Sequence, residues 1–223
     1  MRAFVNHQRG LSLLEVFVVL ATFGLLITFL LPLLAGRSRP VALTTRVSCV
    51  NHLKQIGLAF LLYAEDHEDQ FPWLVSTNFN PTRSKGSREY VNSAEVFRHF
   101  QVASNELNSP KILHCPTDQK RTVAPDFERI QNSNVSYFVG IDAMDNGDPQ
   151  MILSGDRHIV GGTFVRPNLM LVRTNRVMSW SNNLHVLVGN VGLADGSVQQ
   201  VTAARLNQQF ASVTNAIVRL AIP

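Results

Sequence analysis

The stretch "RGLSLLEVFVVLATFGLLITFLLPLLAG", residues 9–36, decides the architecture of this chain. From Val16 to Gly36 it runs for 21 residues without a charge. At 1.5 Å rise per residue, a helix of that length spans roughly 30 Å, the hydrocarbon thickness of a bilayer. A core helix of a soluble domain keeps a polar face, and this segment has none. The reading is a membrane-spanning helix. The run is longer than the apolar region of a secretory signal, and its end, Leu33-Leu34-Ala35-Gly36-Arg37, offers no A-x-A cleavage site. A retained anchor is expected. Arg2 and Arg9 precede it and Arg37, Arg39 and Arg46 follow it, so flanking charge does not set its orientation.

One acid, Glu15, stands at the entrance to the run, and a Gly10-Leu11 junction lies just before it. A carboxylate at a membrane helix is costly unless paired, which makes it a functional signal. At a helix N-terminus it is also compatible with the helix dipole alone. The residues Arg9-Gly10-Leu11-Ser12-Leu13-Leu14-Glu15 together resemble the leader junction of type IV prepilins and type II secretion pseudopilins. The resemblance implies cleavage by a prepilin peptidase after Gly10 and N-methylation of Leu11, where the family most often has Phe. It also implies that Glu15 pairs with the α-amino group of a neighbouring subunit during filament assembly. Pro32 stands where many pilin helices carry a proline.

Beyond a basic hinge, Arg37-Ser38-Arg39-Pro40, helical periodicity resumes. Cys49, Leu53, Ile56, Phe60 and Tyr63 recur at 4-3-4-3 spacing and make one apolar stripe, with Pro72 as the expected stop. Glu65 to Asp69 are acids around one histidine at the wrong end of the dipole, where the helix should fray. The stretch "CVNHLKQIGLAFLLYAEDHEDQFP" (Cys49 to Pro72) is similar to pseudopilin-like proteins of planctomycete and verrucomicrobial bacteria. These also carry a later Cys-Pro and a C-terminal histidine, nine residues, then Asp-Gly. Here the counterparts are "LHCPTD" (Leu113 to Asp118) and His185 with Asp195-Gly196.

The rest reads as loop over residues 73–134, with a short helix near Ser93–Phe100. Strand-like runs follow at Val135–Ile141, Asn168–Arg173, Arg176–Trp180, Val186–Ala194 and Ser197–Val201. Asp195-Gly196 is a hairpin signal. Thr202 reads as an N-cap, and Leu206, Phe210, Val213, Ile217 and Leu220 read as a final amphipathic helix. The expected fold is α+β and pilin-like. A long N-terminal helix packs on a small antiparallel sheet, and a C-terminal helix closes the chain. The expected divisions are a leader (1–10), a transmembrane and assembly helix (11–36), its amphipathic continuation (37–72) and a globular domain (73–223).

Cys49 and Cys115 are the only cysteines. An exported body favours a disulfide between them. The alternatives are two free thiols, or a zinc site with His52 and His114, for which adjacent ligands at His114-Cys115 are poorly spaced. His185 with Asp195 has the makings of a base and its orienter, yet no nucleophile motif such as G-x-S-x-G accompanies them, and Asp195 is explained by the turn. Asp142, Asp145, Asp148 and Asp156 in "IDAMDNGDPQMILSGDR" hint at calcium without EF-hand spacing, and turn chemistry accounts for them without metal. No cofactor is otherwise implied.

Net charge is +4, and removal of residues 1–10 takes away Arg2 and Arg9, leaving 18 basic against 16 acidic residues. A nearly neutral body argues against nucleic acid as partner. The resemblance implies a structural subunit, not an enzyme. It would be anchored once in the bacterial inner membrane with its body outside the cytoplasm. Its partners would be the prepilin peptidase, other pilin-like subunits and a secretion assembly platform. The second reading is a DNA-capturing minor pilin, for which Arg83, Lys85 and Arg88 supply a faint basic surface. The third is a membrane-anchored hydrolase using His185.

Overall fold

The structure, a computed structural model, describes residues 13–34, 41–78, 85–173, 175–182, 184–185, 187–213 and 217–223. The peptidase junction, Gly10 and Leu11, and the basic residue Arg83 lie outside these. The chain divides into two units, Met1–Val41 and Ala42–Pro223.

In the first unit, α1 (Leu13–Leu34) is a 22-residue helix with one acid, Glu15, in its first turn. None of Leu13–Leu30 is buried, and Phe17, Phe23 and Phe29 are among its most exposed side chains. The helix is long and apolar enough to cross a membrane.

The second unit begins with α2 (Val41–Glu65). All five residues of the expected stripe, Cys49, Leu53, Ile56, Phe60 and Tyr63, are fully buried. The helix stops at Glu65, seven residues before Pro72. The amide of Asp69 folds back to the Ala64 carbonyl at 3.0 Å, and Glu68 and Asp69 adopt positive φ. The stop is therefore a local turn over the acidic residues, not the proline. Residues 73–134 carry only short helical pieces, α3 (Phe97–Gln101), α4 (Ser104–Leu107) and three single 3-10 turns.

The strands are β1 (Tyr137–Gly140), β2 (Ile152–Asp156), β3 (Ile159–Val160), β4 (Thr163–Arg166), β5 (Leu169–Arg173), β6 (Ser179–Trp180), β7 (Val188–Leu193), β8 (Val198–Thr202) and β9 (Ile217–Ala221). Seven of them form one antiparallel sheet in the order β4-β5-β9-β1-β2-β7-β8, and β3 pairs with β6. Helix α5 (Ala203–Ser212) follows β8, capped by Thr202, whose Oγ1 accepts from the Arg205 amide at 3.4 Å.

Side chains alternate across a strand, and here the two faces serve two cores. Tyr137 and Val139 of β1 and Leu153 of β2 join α2 and the 97–115 segment. Phe138 of β1 and Ile152 of β2 join Leu206 and Phe210 of α5, together with Met170, Val172, Val218 and Leu220. The sheet is thus covered on both faces.

This corrects two expectations. The sheet is not small, and the chain does not close on a helix. The helical pattern from Leu206 ends at Ser212, and Ile217 and Leu220 belong to β9, an interior strand between β5 and β1.

Candidate functional site

The sheet's inner strands carry a group of buried polar side chains next to the one disulfide among the described residues. Cys49 of α2 and Cys115 are bonded, with their Cα atoms 5.3 Å apart. Cys115 follows the 3-10 turn Pro110–Leu113, which Ser109 caps by accepting from the Lys111 amide. Its Sγ lies 2.9 Å from the Thr117 hydroxyl and 3.9 Å from His185 Nε2. The disulfide fastens α2 to the loop-rich middle, leaving neither cysteine as a free thiol and neither paired with His52 or His114. His52 Nδ1 lies instead 3.4 Å from the Tyr137 hydroxyl.

His185 Nε2 also faces Asp156 Oδ2 at 3.6 Å, and both side chains are essentially excluded from solvent. Asp156 ends β2, where Oδ2 accepts from the Asn190 amide at 2.7 Å and from Asn190 Nδ2 at 2.9 Å. Its Oδ1 has no protein partner. Burial pushes the Asp156 carboxyl up to about 7, against the Asn190 hydrogen bonds and with the help of the Asp118 charge. Burial, and then the Arg46 charge, hold His185 below the ordinary imidazole value. Burial thus disfavours the charged form of both partners, and the pair is not held as a salt bridge.

Two further groups complete the cluster. His158 packs at 4.9 Å between ring centroids from Trp180 and at 6.0 Å from His185, and its Nε2 lies 3.1 Å from the Val188 carbonyl. Burial lowers it to about 4. Asp118 and Arg157 form a two-armed ion pair, Nε to Oδ2 and Nη2 to Oδ1, each 2.7 Å. Asp118 is buried, and the Arg157 charge and hydrogen bonds overcome that burial to keep its carboxyl below the usual range.

The other sequence candidates fall elsewhere. Asp195 is exposed in the β7–β8 turn, its Oδ1 accepting from the Ser197 amide at 2.9 Å, and Gly196 has φ +80°. The turn reading holds, and the acid beside His185 is Asp156. Asp142 is held by Arg219, with Nε at 2.8 Å from its Oδ1 and the backbone amide at 2.7 Å from its Oδ2. Asp148 accepts from the Gln150 amide. Among the described residues Asp142, Asp145 and Asp148 are not gathered at ligating distance; the one such group is Cys49, Cys115 and His185. Arg88 spends its guanidinium on the Leu74 carbonyl.

No spacing rule joins Asp156 to His185, 29 residues apart. The one available signal was an acid inside the otherwise apolar and small run Ile152–Asp156. Described cavities of about 580 and 450 Å³ are lined by Lys85, Tyr90 and Arg98, and by Glu68, Asp69 and Arg88; neither is lined by His185 or Asp156. The His185 cluster is a closed polar core. The chain matches no family model, no curated protein and no solved structure.

Proposed function

We propose that this chain is a pilin-like structural subunit of a type II secretion pseudopilus or a related filament, assembled through its N-terminal helix. The observation that carries the reading is α1. Of its 22 residues, none in the stretch Leu13–Leu30 is buried, and its single acid stands in the first turn, four residues after Leu11. An apolar helix exposed over that length needs a bilayer before assembly and neighbouring helices after it. The Cys49–Cys115 disulfide supports a body held in an oxidising compartment, outside the cytoplasm. On this reading Gly10 and Leu11 are substrate positions for a prepilin peptidase, and Glu15 is the assembly residue.

Mass spectrometry of the mature membrane protein tests this directly. The expected first residue is Leu11, N-methylated, and Gly10→Ala should leave mostly uncut precursor. A mature chain beginning at Met1, or cut near Ala35, overturns the reading.

A further inference from the structure

We propose that the Cys49–Cys115 disulfide and a zinc ion are alternative occupants of one site, with His185 as the shared neighbour. The inference is independent of the filament reading. It starts from placement: both sulfurs and His185 Nε2 lie within 4.8 Å of one another and all three residues are buried. They come from three distant segments, α2, the loop after the 110–113 turn, and the segment preceding β7. A tetrahedral zinc with Zn–S of about 2.3 Å and Zn–N of about 2.0 Å sets its ligand atoms about 3.4–3.8 Å apart. His185 Nε2 already stands 3.9 Å from Cys115 Sγ, and the Cα separation of 5.3 Å lets the two sulfurs part to that distance once their bond is broken.

Asp156 Oδ2 lies 3.6 Å from the same His185 nitrogen but accepts from Asn190 and stands outside the gathered ligand atoms, so the fourth position falls to a water. The other oxygen of Asp156 has no protein partner although the side chain is fully buried. The Thr117 hydroxyl, 2.9 Å from Cys115 Sγ, supplies the outer-shell hydrogen bond that thiolate ligands use. An oxidised pair cannot ligate, so the site is closed to metal while the disulfide stands.

The chemistry balances with a dithiol as reductant. Two electrons and two protons pass to the protein, the S–S bond breaks, two Cys S–H groups form, and the reductant leaves as its own disulfide. Zinc binding then displaces both thiol protons to water. Two thiolates cancel the 2+ charge and the imidazole binds neutral, so the ion enters a buried site without leaving uncompensated charge there.

The experiment uses full-length protein in detergent, reduced with a phosphine in the presence of Zn²⁺ or Co²⁺, beside the untreated oxidised protein. Reduced protein should hold one equivalent of Zn²⁺. With Co²⁺ it should show the thiolate-to-metal charge-transfer band and the intense visible bands of a tetrahedral site; oxidised protein should show neither. Zn²⁺ should slow alkylation of both thiols at least about tenfold, and His185→Ala should weaken binding by more than the roughly 10–100-fold that loss of an outer-shell partner costs. Should His185→Ala fail to fold, the Co²⁺ spectrum and the alkylation rates of the wild-type protein still decide. Reduced wild-type protein without the charge-transfer band, thiols equally reactive with and without Zn²⁺, or a folded His185→Ala of unchanged affinity would each overturn the proposal.

Discussion

Gly57 of α2 and Gly196 of the β7–β8 turn meet backbone to backbone: a Cβ built on Gly57 would lie 3.5 Å from the Gly196 Cα. Gly57 leaves room for one more carbon at this contact, whereas Gly196 is required by its positive φ.

The two glycines should answer alanine differently. At Gly57 the added carbon makes an ordinary contact, and a helix interior prefers Ala by up to about 1 kcal/mol. Gly57→Ala is expected to raise the urea midpoint of the body or leave it unchanged. At Gly196 the φ of +80° strains any L side chain and the new Cβ would meet Leu61 Cδ1 at 3.0 Å. Gly196→Ala should cost about 1 kcal/mol or more. Trp73 and Trp180, both buried, report unfolding by fluorescence. Equal losses at both positions would contradict the packing described.

The Asp118–Arg157 pair should be costly to break from one side. Arg157→Met takes from the buried carboxylate its hydrogen-bonded cation and leaves only the more distant charge of Arg121, which is expected to destabilise the body by about 3 kcal/mol. The double variant Asp118→Asn with Arg157→Met should recover much of that loss, because no uncompensated charge is left. Chemical denaturation of the two variants beside wild type measures the difference, and a double variant no more stable than the single one would deny the pair that role.

Stability should fall as pH drops from about 6.5 towards 4. His99 and His158 are buried, and burial lowers each to about 4. Unfolded histidines protonate near 6.5, so over this window the unfolded state takes up two protons that the folded state does not. Asp156 opposes them: its carboxyl sits at about 7 when folded and near 3.9 when unfolded, so there the folded state holds one proton more. His185 and His52 are also held below the ordinary imidazole value and act with His99 and His158, so the histidines outweigh Asp156 and acidification destabilises. Asp156→Asn removes the opposing group and should steepen the dependence, and His99→Gln should flatten it. Urea midpoints at several pH values decide, and a profile for Asp156→Asn superimposable on wild type would mean that the folded carboxyl is already ionised.

Glu15 should be needed for assembly and for nothing earlier. An isolated subunit can keep the carboxylate near the headgroups, whereas a packed filament draws it among apolar neighbours, where only an amine partner offsets its cost. Glu15→Leu is expected to insert, be cut after Gly10 and give a body of unchanged circular dichroism, yet fail to crosslink into filaments beside wild-type subunits. Incorporation at the wild-type level would reduce Glu15 to an interfacial residue.

Much of the helical part was legible in the chain, since the 49–63 stripe, the Thr202 cap and the Asp195-Gly196 turn each follow from a spacing or a conformational demand. The sheet was less so. β2, "ILSGD", is buried on both faces and shows no alternation, because one side packs towards α2 and the other towards α5. β9 was misread because Leu206, Phe210, Val213, Ile217 and Leu220 satisfy a helical period, although Val218 and Leu220 alternate equally well as a strand. Short apolar runs carry that ambiguity by nature. His185 was visible as a motif residue, but its true companion, Asp156, is set by strand pairing between β2 and β7, which no local rule encodes.

The place of β9 sets a timetable. Without residues 217–221 the strand order would break into two sets, β4–β5 and β1-β2-β7-β8, with unpaired edges at β5 and β1. Those residues follow every other described strand in the sequence, so the sheet cannot close before they are made. Every earlier moment leaves two open edges of the kind that recruit strands from other molecules. A variant lacking residues 217–221 would keep α5 but expose β5 and β1 as edges, and it should stick to its neighbours instead of standing alone.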